Sequence, residues 1–185
     1  MARDDGLAPE AIARAFATFP GVRRRLEELG EARGVIVVED FAHHPSAVGE
    51  SIRGLRQRYP GRRLAVLYEP RSLTAGRALL EDAYLEALGN ADRVLLAPLF
   101  HEERLAPEER LDLGSLASRL EGCGVEASRH ASLDDLLPAA LAWLEEGDVV
   151  VTMSSGAFGN LPRRLLAVLA EEPRERAAEP STTPG

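Results

Sequence analysis

Residues 35–48, VIVVEDFAHHPSAV, run from a β-branched apolar tract into two acids, an aromatic, a His-His pair and a proline. A short tract of that kind, ended abruptly by polar residues, reads as a buried parallel strand. Its polar followers then stand at the strand's carboxyl end, the side on which open α/β sheets bind ligands. Asp40 there suits hydroxyls such as those of a ribose, Phe41 offers a face to a base, and His43 and His44 suit a polar or anionic group near the next helix N-terminus. The two histidines are adjacent on an extended segment, so their side chains diverge and one metal ion is not expected between them.

Working outward, residues 19–31, FPGVRRRLEELGE, place Arg23, Arg24 and Arg25 just upstream of the strand. Arginine makes the forked contact that phosphate favours. Residues 24–31, Gly34 and residues 35–39 read as an antiparallel hairpin, preceded by an amphipathic helix over 9–19 with Ile12, Ala13, Phe16 and Phe19 at helical spacing. Pro20-Gly21 closes that helix. Downstream, helices are expected at 45–59, 74–88, 113–120, 133–145 and 158–169, with strands at 63–68, 93–97, 125–127 and 148–153. Residues 100–110 read as an exposed connection, and Ser132 as an N-cap for the helix that follows it. The alternation implies a mostly parallel sheet with helices on both faces. Residues 171–185, charged and proline-rich without apolar period, read as a disordered tail after a domain over 1–170.

Composition narrows the function. The formal net charge of −8 opposes a general nucleic-acid binder. No apolar run is long enough for a membrane span and the N-terminus lacks a signal-peptide core, so a soluble, cytoplasmic protein is expected. The lone Cys123 supplies neither a disulfide framework nor metal-ligand spacing, and no metal site is expected. His101 and His130 lack a motif and are read as surface residues. No G-x-G-x-x-G follows a strand, so a dinucleotide-dependent oxidoreductase has little support. The 22 basic residues are all arginine. A P-loop requires G-x-x-x-x-G-K-[ST], whose lysine reaches the β- and γ-phosphates, and these 185 residues contain none.

FPGVRRRLE (19–27), EDFAHHP (39–45), LYEPRSLTAGR (67–77) and VTMSSGAFGNL (151–161) together resemble, in order, the C-terminal domain of the Mur ligases, ATP-dependent amide ligases of peptidoglycan synthesis. The likeness covers residues from about 7 to 169 and is nearest to the peptide-adding, recycling branch. It implies a Rossmann-like domain that closes as a lid over a P-loop and a central domain carried elsewhere. The implied reaction joins UDP-N-acetylmuramate to a murein peptide with ATP and Mg²⁺, the metal being held mainly by those other parts, and the lid is expected to be inert alone. In the F-x-G-x-x-x-R-x-E pattern Arg25 falls on the nucleotide-phosphate contact. Asp40 falls on the ribose contact, Phe41 beside the base, and His43 and His44 near the reacting centre. Arg71, Ser72, Thr74 and Arg77, with Ser154, Ser155 and Gly156, fall where the incoming amino acid or peptide is read. The same residue types also serve as ordinary caps, turns and solvated charges. Two alternatives stay open: a non-catalytic module acting in trans on a separate P-loop polypeptide, and the L-alanine-adding branch of the family.

Overall fold

A computed structural model describes residues 6, 8–19 and 21–171, with the side chain of Phe16 outside the description. Its spine is a six-stranded sheet in the order β1-β2-β6-β3-β4-β5. Strands β1 (Glu27–Ala32) and β2 (Val35–Asp40) form the antiparallel hairpin. Then β2, β6 (Val149–Met153), β3 (Leu64–Tyr68), β4 (Arg93–Leu96) and β5 (Glu126–Arg129) run parallel. The α/β, mostly parallel fold expected from the alternation is the one found.

The inner strands β2, β6, β3 and β4 are covered on both faces, which is why they read as apolar runs, whereas the edge strands β1 (EELGEA) and β5 (EASR) do not. Val35 and Val37 face one cluster while Ile36 and Val38 face the other. The first cluster packs against α5 (Leu133–Trp143) and α6 (Leu161–Glu171). The second packs against α2 (Pro45–Arg58), α3 (Glu81–Leu88) and α4 (Leu113–Gly122). Helix α1 (Pro9–Thr18) precedes the hairpin, as expected. No described helix is long and apolar enough to cross a membrane.

The chain leaves β2, passes through α2 to β3, continues outward to β4 and β5, and returns through α5 to place β6 between β2 and β3. The order therefore reverses at β6, and the carboxyl ends of β2, β6 and β3 meet at that switch point.

Four local expectations change. The helix expected at 74–88 starts only at Glu81, after a 3₁₀ turn over Ala78–Leu80. Residues 72–77 are held otherwise: Ser72 Oγ accepts from the Ala75 amide, and extended Arg77 forms a bridge with Arg110. The last helix starts at Leu161 because Phe158, Gly159 and Asn160 are left-handed. The 100–110 connection is anchored by buried Leu105, between two 3₁₀ turns. Glu171, assigned to the tail, ends α6, and the remainder of 171–185 lies outside the described residues.

Candidate functional site

At the switch point the strands end in register: Asp40 and Tyr68 both flank Met153. One residue on, the Glu69 amide donates to the Met153 carbonyl and the Ser154 amide to the Asp40 carbonyl. Glu39, Glu69 and Ser154 share the phase of the α5/α6 side and are all buried. Such groups need partners to be tolerated there.

Arg24 partners Glu39 and the Ser154 carbonyl. Its Nε donates to Glu39 Oε1 at 2.8 Å and its Nη2 to the Ser154 carbonyl at 2.8 Å and to the Gly156 carbonyl. Its own backbone is left-handed (φ 57°), with its amide on Glu27 Oε2 and its carbonyl accepting from the Phe41 amide. The second oxygen of Glu39 has no hydrogen-bond partner among the described residues and lies 3.6 Å from Arg163 Nη1, in the first turn of α6. Glu69 accepts from Ser154 Oγ, which in turn accepts from the Gly156 amide at 2.9 Å. Arg71 lies 3.5 Å from Glu69 and stacks on Phe100 with its guanidinium 3.6 Å from the ring centroid. It crosses the backbone at Gly156 so closely that a Cβ there would fall on the guanidinium.

The nucleotide-side candidates sit on the hairpin end of the same rim. Arg25 is exposed, 5.0 Å from the Phe41 centroid, and borders a cavity of about 660 Å³ together with Arg23 and Phe19. Phe41 also carries the Arg24 guanidinium at 5.1 Å and the edge of His43 at 5.6 Å, so its ring is not a bare platform. Asp40 is 3% exposed, and its oxygens accept from the Leu26 and Ala42 amides and Ser51 Oγ. In this arrangement it ties the arginine segment, the strand end and α2 together.

His44 is exposed at the N-cap of α2, where Pro45 opens the helix. His43 is half-buried, and its carbonyl accepts from Tyr68 (2.7 Å) and Tyr84 (2.8 Å), whose hydroxyls are themselves 2.7 Å apart. Burial pushes the Tyr68 phenol well up and that of Tyr84 to about 12.

Of the peptide-side candidates, Arg71, Ser154, Ser155 and Gly156 come together at this rim. Ser72 and Thr74 belong to the turn before the 3₁₀ segment, Ser72 as its cap and Thr74 exposed. Arg77 leans toward Glu109, 3.8 Å away, in the 100–110 connection. His101 and His130 are half-buried rather than plain surface residues. Burial first and Arg93 second lower the His130 pKa, and its Nε2 lies 2.9 Å from Ser128 Oγ. Sequence reasoning missed Arg24, Glu69 and Phe100 as parts of the site. One signal was available for Glu69: like Glu39 and Ser154, it is a polar residue closing an apolar strand on a single alternation phase.

Among the described residues no three His, Cys, Asp or Glu side chains converge as a metal site. The rim carboxylates are engaged by Arg24, by Ser154 and by backbone amides, while the outward-facing groups are arginines. Its open chemistry is that of anion binding.

Residues 24–156 match the family model described as Mur ligase, glutamate ligase domain. The chain is 36% identical over 172 residues to the UDP-N-acetylmuramate–L-alanyl-γ-D-glutamyl-meso-2,6-diaminoheptandioate ligase of Escherichia coli, with 92% of this chain and 35% of that protein covered. It is 30% identical to the UDP-N-acetylmuramate–L-alanine ligase of Desulfotalea psychrophila, over 87% of this chain and 35% of that protein. A crystal structure of a murein peptide ligase from Psychrobacter arcticus superposes with a TM-score of 0.67 at 26% identity, over 92% of this chain and 35% of that one. The chain thus spans about a third of the length of the proteins it matches.

Proposed function

The chain belongs to the Mur ligase family, as its glutamate ligase (C-terminal) domain, and from that premise we propose that it is the closing lid of an ADP-forming ligase that joins a murein peptide to UDP-N-acetylmuramate in the cytoplasm. Residues 1–170 are the proposed domain. The observation that carries this reading is the Arg24 side chain, which spans from the arginine segment beside Arg25 to the 154–156 loop beside Arg71. Two groups of anion-binding residues are thereby held at one rim.

ATP, when bound, supplies the phosphoryl group that activates the acceptor carboxylate. The chain's residues fit one side of it: exposed Arg25 offers a fork to phosphate, and Phe41 with its arginines forms the wall beside it. Asp40 contributes chiefly by fixing the Leu26 amide and so the direction of Arg25. Among the described residues no carboxylate set converges for magnesium, and in this reading its ligands belong mainly to the other domains of the ligase. Arg71, held on Phe100, suits a carboxylate of the incoming peptide, while His43 and His44 border the closing interface. Closing such a lid brings two anionic reactants into line and excludes water.

The peptide-adding reading is preferred to the L-alanine-adding one because the 36% identical relative is named for a tripeptide as the incoming substrate. Titrating ATP into the isotope-labelled chain is expected to move the Arg25 and Phe41 amides with weak affinity and without turnover, and Arg25→Ala is expected to remove the effect. Submicromolar affinity, or ligation by this chain alone, would show that the pocket is not shared with other domains.

A further inference from the structure

The rim continues past the switch point to the free edge of the sheet, where the ends of β4 and β5 and the start of α4 enclose a cavity of about 380 Å³. Resting on the peptide-adding function above, we propose that this cavity is a distal subsite for a zwitterionic amino-acid end of the incoming peptide. The matching group is the ammonium and carboxylate that a diaminopimelate residue carries at its free end.

The charges select that class. Arg129, the last residue of β5, is exposed, runs beside Gly114 and forms no ion pair among the described residues. A forked donor is therefore available for a carboxylate. Asp112 caps α4 through Oδ1, which accepts from the Gly114 and Ser115 amides at 2.8 and 3.0 Å. Its other oxygen has no partner among the described residues and is available for an ammonium. Arg110 and Glu102, by contrast, are paired with each other at 3.1 Å and form a neutral wall. A simple anion would meet the Asp112 charge, and a simple cation would meet Arg129. A group bearing both charges satisfies each.

Distance selects a peptide over a single amino acid. Neighbouring strands lie about 4.8 Å apart, so the step from β6 across β3 and β4 to β5 is roughly 14 Å. Three residues in extended form reach about 10 Å, and a γ-glutamyl link with the side-chain methylenes of diaminopimelate lengthens that span. Alanine alone cannot bridge it. The path is continuous, because residues 98–100 border both places: Pro98 and Leu99 line the cavity and Phe100 carries Arg71.

The test is amide shift mapping on the isotope-labelled 185-residue chain. The probes are L-alanyl-γ-D-glutamyl-meso-diaminopimelate, the same peptide ending in L-lysine, which lacks the distal carboxylate, and L-alanine. The first is expected to move Gly114 and His130 as well as Ser154 and Gly156, and to bind roughly tenfold tighter than the lysine peptide. Arg129→Gln is expected to erase that difference, weakening the diaminopimelate peptide and relieving the repulsion that the lysine ammonium meets, while leaving thermal unfolding unchanged. Shifts confined to residues 154–156, or equal affinity of wild type for the two peptides, would overturn the subsite and leave the proposed function standing. No shift at either place would overturn both.

Discussion

At the scale of single residues, Arg24 organises the rim while its neighbour Arg25 faces out of it. Replacing Arg24 by methionine keeps the aliphatic bulk but leaves Glu39 buried without its main partner and deprives two carbonyls of a donor. Such losses destabilise by about 2–4 kcal/mol, which urea unfolding would register; a change under about 0.5 kcal/mol, the size of an ordinary surface substitution, would contradict this role. Lysine should recover only part of the loss, since a single ammonium does not reproduce the fork. Gly156 makes a separate prediction: Gly156→Ala should push the Arg71 guanidinium aside, weakening peptide binding more than it weakens the fold, as paired titration and unfolding would show. The RRR run made basic chemistry legible but not the division of labour within it. Left-handed Arg24 and Leu26 decide which arginine turns inward, and three identical letters carry no trace of that.

At the scale of elements, the inner strands β2, β3, β4 and β6 were legible because burial on both faces writes them as apolar runs, and Ser132 capped its helix as its position suggested. The start of α3 was not legible, because residues 72–77 are committed to a turn and to the Arg77–Arg110 bridge, a contact distant in sequence. The tyrosine pair that joins β3 to α3 beneath the His43 carbonyl was equally hidden. Tyr84→Phe removes one hydroxyl from that group and should cost about 1 kcal/mol. The pH dependence has a definite sign. With its pKa raised from 10.0 to about 12, Tyr84 adds stability that is complete below pH 10 and is lost as pH rises toward 12. The gap in unfolding free energy between wild type and Tyr84→Phe should therefore shrink between pH 9 and 11, and a gap that widens would exclude the burial-driven shift.

At the scale of the whole molecule, alternation disclosed the class of fold but not the strand order, because a pattern of apolar runs does not say which gap a returning strand enters. Here the last strand, β6, fills the centre, between β2 and β3. Until residues 149–153 are available, the earlier strands can form only two separate patches of sheet, each with an open inner edge of the kind that recruits other chains. Fragments ending before residue 149 should thus aggregate instead of binding nucleotide weakly, and a soluble, cooperatively melting fragment would show otherwise. On the ribosome the consequence is one of timing: the hairpin of β1 and β2, which ends at Asp40, emerges well before β6, which begins at Val149, so for that interval the inner edge of the hairpin has no mate.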